Sequence, residues 1–148
     1  MKIKTKLINH LTLNGKKGTS EKNLLKSVKE LQKNSAKRFS KVFQLALIHS
    51  TPIFKLHKIK LKKKKKSKNN RFREIPGFLK TRTSRISLAL KFILKNSKKN
   101  IEDFNYSQSL SKEILICSKN KGESVKVKSE LQKNVLSKKH FFRYYRWK

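Results

Sequence analysis

Ile86-Ser87-Leu88-Ala89-Leu90-Lys91-Phe92-Ile93-Leu94 carries the most regular apolar spacing in the chain. Ile86, Ala89, Leu90, Ile93 and Leu94 recur at helical intervals and share one face. Leu88 and Phe92 widen that face, so Ser84, Ser87, Lys91 and Lys95 form only a narrow polar stripe. A helix this broadly apolar packs on more than one side. Ser84 to Asn96 is therefore predicted as the central helix of a bundle. It is no membrane span, because Ser87 and Lys91 interrupt it and spanning takes roughly 18 apolar residues.

Upstream, the pattern changes twice. Phe72 to Leu79 and Ile53 to Leu61 show short alternation and read as paired strands, with Pro76-Gly77 confining the second to an edge or bulge. Between them lies Lys62-Lys63-Lys64-Lys65-Lys66, and Lys55 to Arg73 holds eleven basic residues and no acidic one. Like charges at that density cannot be buried. The run reads either as a solvated loop or as one that orders only against phosphates. Before the strands, Phe39, Val42, Phe43, Ala46 and Leu47 predict a helix stopped at Thr51-Pro52. Leu24, Leu25, Val28 and Leu31 predict another, ending near Lys33. Asn14-Gly15-Lys16-Lys17-Gly18 is a turn leading into it, with Thr19 or Ser20 as the cap and Glu21 in the first turn. Residues 1–13 read as a basic arm.

Downstream, Leu110, Ile114, Leu115 and Cys117 predict a helix from Ser107 to Ser118, with Gly122 suited to its C-terminal cap. A last helix from about Lys128 carries Leu131, Val135 and Leu136 and runs on to Phe142. The fold class is thus mainly α, a bundle of five to six helices with a protruding two-stranded β-hairpin over 53–79.

The 148 residues include 41 lysines and arginines against eight acidic residues, a formal charge of +33. A hydrophobic fraction of 35% supports one domain with a small core. The charge runs from Lys2 to Lys148 rather than sitting in one block, which suits a protein embedded in a polyanion, nucleic acid first of all. Enzymatic function is not expected. His10, His49, His57 and His140 have no ligand spacing with Cys117, so no metal is expected. The carboxylates offer only Glu102-Asp103 as neighbours, and ion pairing with lysine is their simplest role. Cys117, on an apolar helix face, reads as a core residue. The turn at Asn14–Ser20 lacks the leading glycine and strand of a nucleotide loop, so no cofactor is expected. Its Lys16 and Lys17 at a helix start still suit an RNA phosphate. At the other end, Phe141, Phe142, Tyr144, Tyr145 and Trp147 interleave with Arg143 and Arg146. Such rings and guanidinium planes stack on unpaired bases, although Phe142 reads equally as a core plug.

Three of these segments resemble, in order, the signatures of the small-ribosomal-subunit protein seven family, in an organellar form. Asn14-Gly15-Lys16-Lys17 with Thr19 is similar to its Gly-Lys-Lys turn. Ile86 to Leu94 is similar to its Leu-Ala-Leu-Arg-Trp-Leu helix, with Lys91 and Phe92 at the Arg and Trp positions. Phe142-Arg143-Tyr144-Tyr145-Arg146-Trp147 is similar to its closing Phe-Ala-His-Tyr-Arg-Trp. The resemblance implies a single rRNA-binding domain over 1–148, a structural part of the small subunit. It further implies binding to the 3′ major domain of small-subunit rRNA, head assembly with neighbouring head proteins, and a hairpin near exit-site tRNA and mRNA. By position it makes Lys16, Lys17, Lys22, Lys91, Arg143, Tyr145 and Arg146 RNA contacts. Lys62, Lys63, Lys64, Arg71 and Arg73 of the hairpin, Arg82 and Arg85 before the central helix, and Lys126 and Lys128 complete the candidate set.

The chain departs from that family at the hairpin. Its usual Arg-Arg-Val-Gly-Gly segment is replaced by Lys58-Ile59-Lys60-Leu61 and the lysine run, so another tip shape is expected. After Gly122 the chain keeps Val125-Lys126 and Lys128 but not the His-Arg-Met-Ala-Glu-Ala-Asn of the family. Thirty-four lysines against seven arginines, with eleven asparagines, suggest an A/T-rich genome. The N-terminus is basic without arginine, and Ile3 and Leu7 alternate with lysines, so no cleavable presequence is expected. Both point to a mitochondrial matrix ribosome, with a plastid as the alternative. No membrane or small-molecule partner is expected. The rival reading is a nucleoid-type DNA-binding protein using the same charge without a defined site.

Overall fold

Helices α1 (Ile3–Leu11), α2 (Lys17–Asn34) and α3 (Phe39–Ser50) lead into strands β1 (Phe54–Lys60) and β2 (Phe72–Phe78). Helices α4 (Arg82–Lys99), α5 (Tyr106–Ser118) and α6 (Glu123–Ser137) follow, and a 3-10 helix over Lys139–Tyr144 closes the described chain. This computed structural model describes residues 3–35, 37–60, 72–99 and 105–144. The Lys62–Lys66 run, Arg71, Glu102-Asp103, Tyr145, Arg146 and Trp147 therefore lie outside the described residues.

The predicted central helix is α4, which packs against α1, α3, α5 and α6. Ala89, Leu90 and Ile93 are fully buried on it, as the spacing requires. It shares that place with α5, which packs against α2, α3, α4 and α6 and fully buries Leu110, Ile114 and Cys117. Burying each such aliphatic side chain contributes about 1.5–3 kcal/mol, so these two helices hold the core together.

Where the sequence suggests a basic arm, Ile3–Leu11 folds as α1 and buries Leu7, Ile8 and Leu11. Ile3, Leu7, Ile8 and Leu11 do lie at helical spacing, but Lys4 and Lys6 between them obscure the face. The turn that follows forms at Asn14-Gly15, with φ of 50° and 73° and a bond from Lys16 N–H to Leu13 O. Helix α2 then begins earlier than expected. Neither Thr19 nor Ser20 caps it; both lie inside it and donate their hydroxyls back to Lys16 O. Helix α3 ends before Pro52 as predicted, with Ser50 Oγ bonded back to Ala46 O at 2.7 Å.

The hairpin is antiparallel, pairing Phe54 with Phe78 and Lys60 with Phe72. Pro76 fits opposite Leu56 because a two-stranded sheet has only edges.

The α5–α6 junction corrects the sequence reading. Asn120 (φ 58°), not Gly122, takes the left-handed position that ends α5, with Lys121 N–H bonded to Ile116 O. Gly122 (φ 100°) instead precedes α6, and a Cβ there would lie 2.8 Å from Ile116 Cγ2. Helix α6 starts at Glu123 rather than near Lys128 because a buried carboxylate caps it. Glu113 Oε1 accepts from Ser124 N–H (3.1 Å), Ser124 Oγ (2.6 Å) and the Cys117 thiol (3.4 Å). Asn96 Nδ2 donates to Ser124 Oγ at 3.2 Å, so the network joins α4, α5 and α6. Glu113 thus serves as an internal helix cap rather than as a simple partner for surface lysines. Burial, and then the Glu113 charge, push the Cys117 thiol up to about 12. Finally, Phe142 belongs to the 3-10 helix rather than to α6, and Leu136 is 64% exposed.

Candidate nucleic-acid interface

The hairpin leaves the bundle between two surfaces rich in basic residues. On one side, β1, the loop after β2, α1 and the first half of α4 line an open groove of about 450 Å³. Lys6 enters it from α1, Lys55 and His57 from β1, Lys80 from the loop and Lys91 from α4. Thr81, Ser84 and Ser87 add hydroxyls, and no carboxylate is among its described lining residues. The Lys6 ammonium donates to Thr83 O, fastening α1 to the start of α4. One turn on, His10 Nε2 lies 3.2 Å from Ser87 Oγ. Burial lowers the His10 pKa, and the Lys91 and Lys6 charges push it the same way. The imidazole is therefore neutral at pH 7 and holds Ser87 without adding charge. A concave wall of ammonium groups and hydroxyls suits phosphodiester oxygens.

On the other side, β2 meets the 3-10 helix. Glu74 Oε2 accepts from Lys138 Nζ at 2.5 Å, and its Oε1 lies 3.8 Å from Lys58 Nζ. The Lys138 hydrogen bond and charge, with Lys58, hold the Glu74 carboxyl below its usual range. The Arg73 guanidinium sits 5.2 Å from the Phe141 ring centre. Phe142 packs 5.6 Å from Phe54, which meets Phe78 edge-on at 6.0 Å. Farther out, Ile59 and Phe72 are exposed.

The sequence that folds into this bundle matches the family described as Ribosomal protein S7p/S5e over residues 1–139. The chain belongs to that family. It is 32% identical over 146 residues to small ribosomal subunit protein uS7 of Wigglesworthia glossinidia brevipalpis, covering 98% of this chain and 86% of the relative. It is 29% identical over 142 residues to uS7m of Reclinomonas americana, covering 96% and 83%. Against uS7c of Euglena longa the identity is 32% over 128 residues, covering 86% and 67%. These relatives include mitochondrial and plastid forms. Membership in the S7p/S5e family makes the chain a structural component of the small ribosomal subunit, an rRNA-binding protein of translation.

The S7p/S5e candidates identified from the sequence divide by position. Lys91 lies in the groove. Lys16, Lys17 and Lys22 are exposed at the start of α2. The Lys16 and Lys17 N–H groups are occupied by Leu13 O and Gly15 O, so these two residues offer a phosphate their side chains rather than their backbone. Arg82 is exposed at the start of α4, and Lys126 is exposed on α6, 3.2 Å from Glu123. Arg73 lies on the hairpin seam, and Arg143 is exposed, with Nε donating to His140 O. Two candidates have structural work as well. Arg85 Nε donates to Leu79 O at 2.6 Å and covers Phe78 at 4.9 Å, fixing the return of the hairpin. Lys128 Nζ donates to His49 O at 2.7 Å, tying α6 to the C-terminal end of α3, and burial lowers its pKa. Lys62, Lys63, Lys64, Arg71, Tyr145 and Arg146 lie outside the described residues.

Sequence reasoning missed Lys6, Lys55 and Lys80 of the groove. Each is one lysine among many, and only tertiary contact between segments far apart in the chain groups them. The 3, 7, 8, 11 spacing was the one signal available, since it would have made α1 a packed helix with Lys6 on a fixed flank.

Proposed function

We propose that this chain binds the 3′ major domain of small-subunit rRNA as a single rRNA-binding domain and helps assemble the head with neighbouring head proteins. The groove carries this reading: Lys6, Lys55, Lys80 and Lys91 converge there on one concave wall. Its lysines displace counterions where rRNA helices converge, and the rigid bundle fixes their relative orientation. Lys16, Lys17, Lys22, Arg82, Lys126 and Arg143 extend the contact over other faces, with Tyr145 and Arg146 stacking on unpaired bases. The hairpin, with Lys62, Lys63, Lys64 and Arg71, points toward the exit-site tRNA and mRNA path. The role involves no chemical step. The setting is the mitochondrial ribosome, with the plastid as the alternative compartment.

Ultraviolet crosslinking of the tagged protein, followed by sequencing of the attached nucleic acid, tests this reading. The expected result is crosslinks concentrated in the 3′ major domain, including sites at Lys16 and Lys91. Crosslinks mainly on DNA, or scattered over many RNAs, would overturn it in favour of nucleoid-type binding. Isolated affinity for the rRNA should also fall steeply with salt, at a slope of roughly −0.7 to −0.9 per phosphate neutralised.

A further inference from the structure

Glu74 stands where charge alone would least place a carboxylate. The chain has only eight acidic residues, and Lys55 to Arg73, immediately before Glu74, contains none. On an RNA-facing hairpin a carboxylate repels phosphate. It is also half-exposed, and ion pairs at such positions add little to stability. Neither affinity nor stability accounts for it.

Its connections do. Glu74 is the cross-strand partner of Lys58, with Oε1 3.8 Å from that ammonium. Its other oxygen accepts from Lys138 Nζ at 2.5 Å, and Lys138 is the residue that ends α6. One carboxylate thus bridges β1, β2 and the α6–3-10 junction, holding together two ammonium groups that would otherwise repel. The Arg73–Phe141 and Phe54–Phe142 contacts flank this bridge but are broad and forgiving of rotation. The bridge alone among them has a defined direction, because it depends on specific oxygen and nitrogen positions.

We propose that Glu74 is a positioning residue for RNA recognition: by bridging Lys58 and Lys138 it sets the angle of the hairpin against the C-terminal 3-10 helix, so that the basic surfaces of both face one RNA shape. The inference rests on the rRNA-binding reading above. It separates selectivity from affinity, since the same group that weakens attraction to any polyanion improves the fit to one.

The test compares full-length protein binding to a transcript of the small-subunit rRNA 3′ major domain from the same genome and to an unrelated structured RNA of equal length. Glu74→Gln adds one positive charge and Lys138→Gln removes one, so simple attraction predicts opposite changes. Positioning predicts that both lose preference for the 3′ major domain by at least about fivefold, the low end of coupling between linked sites. Unrelated RNA should bind Glu74→Gln more tightly and Lys138→Gln more weakly. Glu74→Asp, which keeps the charge, should recover part of the preference. Both glutamine variants should melt close to wild type. Affinities that simply follow charge, with preference unchanged in both variants, overturn the inference while leaving the rRNA reading intact. A wild-type chain with no preference overturns both.

Discussion

The bundle and the hairpin are held by different forces. Leu90, Ile93, Leu110 and Ile114 are fully buried between helices, and water and salt do not reach them. The hairpin has two edge strands, exposed Ile59 and Phe72 at the far end of its described residues, and a base fastened by aromatic rings and one bridging carboxylate. A scaffold of the first kind keeps its shape in isolation. An arm of the second kind keeps its direction only while a few contacts at its root persist. The S7p/S5e chain joins the two, placing its basic groove where the rigid part meets the adjustable one.

That contrast predicts separable effects. Ile114→Ala removes a fully buried side chain from the helix that meets four others and should cost about 2–5 kcal/mol, read as a lower melting temperature of the whole domain. Loss confined to part of the helical signal would mean the bundle is not one cooperative unit. Phe142→Ala should act locally. It removes the ring against Phe54, so amides of β1 and β2 should exchange faster while those of α4 and α5 hardly change. A global loss as large as that of Ile114→Ala would place Phe142 in the core after all. The smallest effect belongs to His10. Its pKa is depressed in the folded chain, so the unfolded chain binds the extra proton first. Stability should therefore decline as pH falls below about 6.5, and His10→Gln should flatten that decline in melts at successive pH values.

The parts legible in the sequence were those whose signal is local. Helices α3 and α4 announced themselves by spacing, and the hairpin by alternation on both sides of a lysine run bounded by Pro52 and Pro76. Helix α1 was hidden because lysines sit between its apolar positions, and a basic face beside a thin apolar one resembles a tail. Glu113 and Gly122 misled for a related reason. Each residue type has a common surface role, and only the approach of α6 to α5 gives it another. The interface was legible as a chemistry but not as a place. Composition indicates a polyanion, whereas the grouping of Lys6, Lys55, Lys80 and Lys91 exists only once α1, β1, the loop after β2 and α4 have packed.

Cys117 carries a practical consequence of the buried cap. It is the single cysteine of the chain, fully enclosed, with its thiol pushed up to about 12 by burial and by Glu113. A thiol in that state has almost no thiolate at neutral pH and offers nothing for an alkylating reagent to attack. It becomes reactive only when α5 and α6 part and water enters. The labelling rate of the unmodified protein is thus a built-in stopwatch for the opening of its core, and comparing that rate with and without RNA measures how firmly assembly keeps the bundle shut.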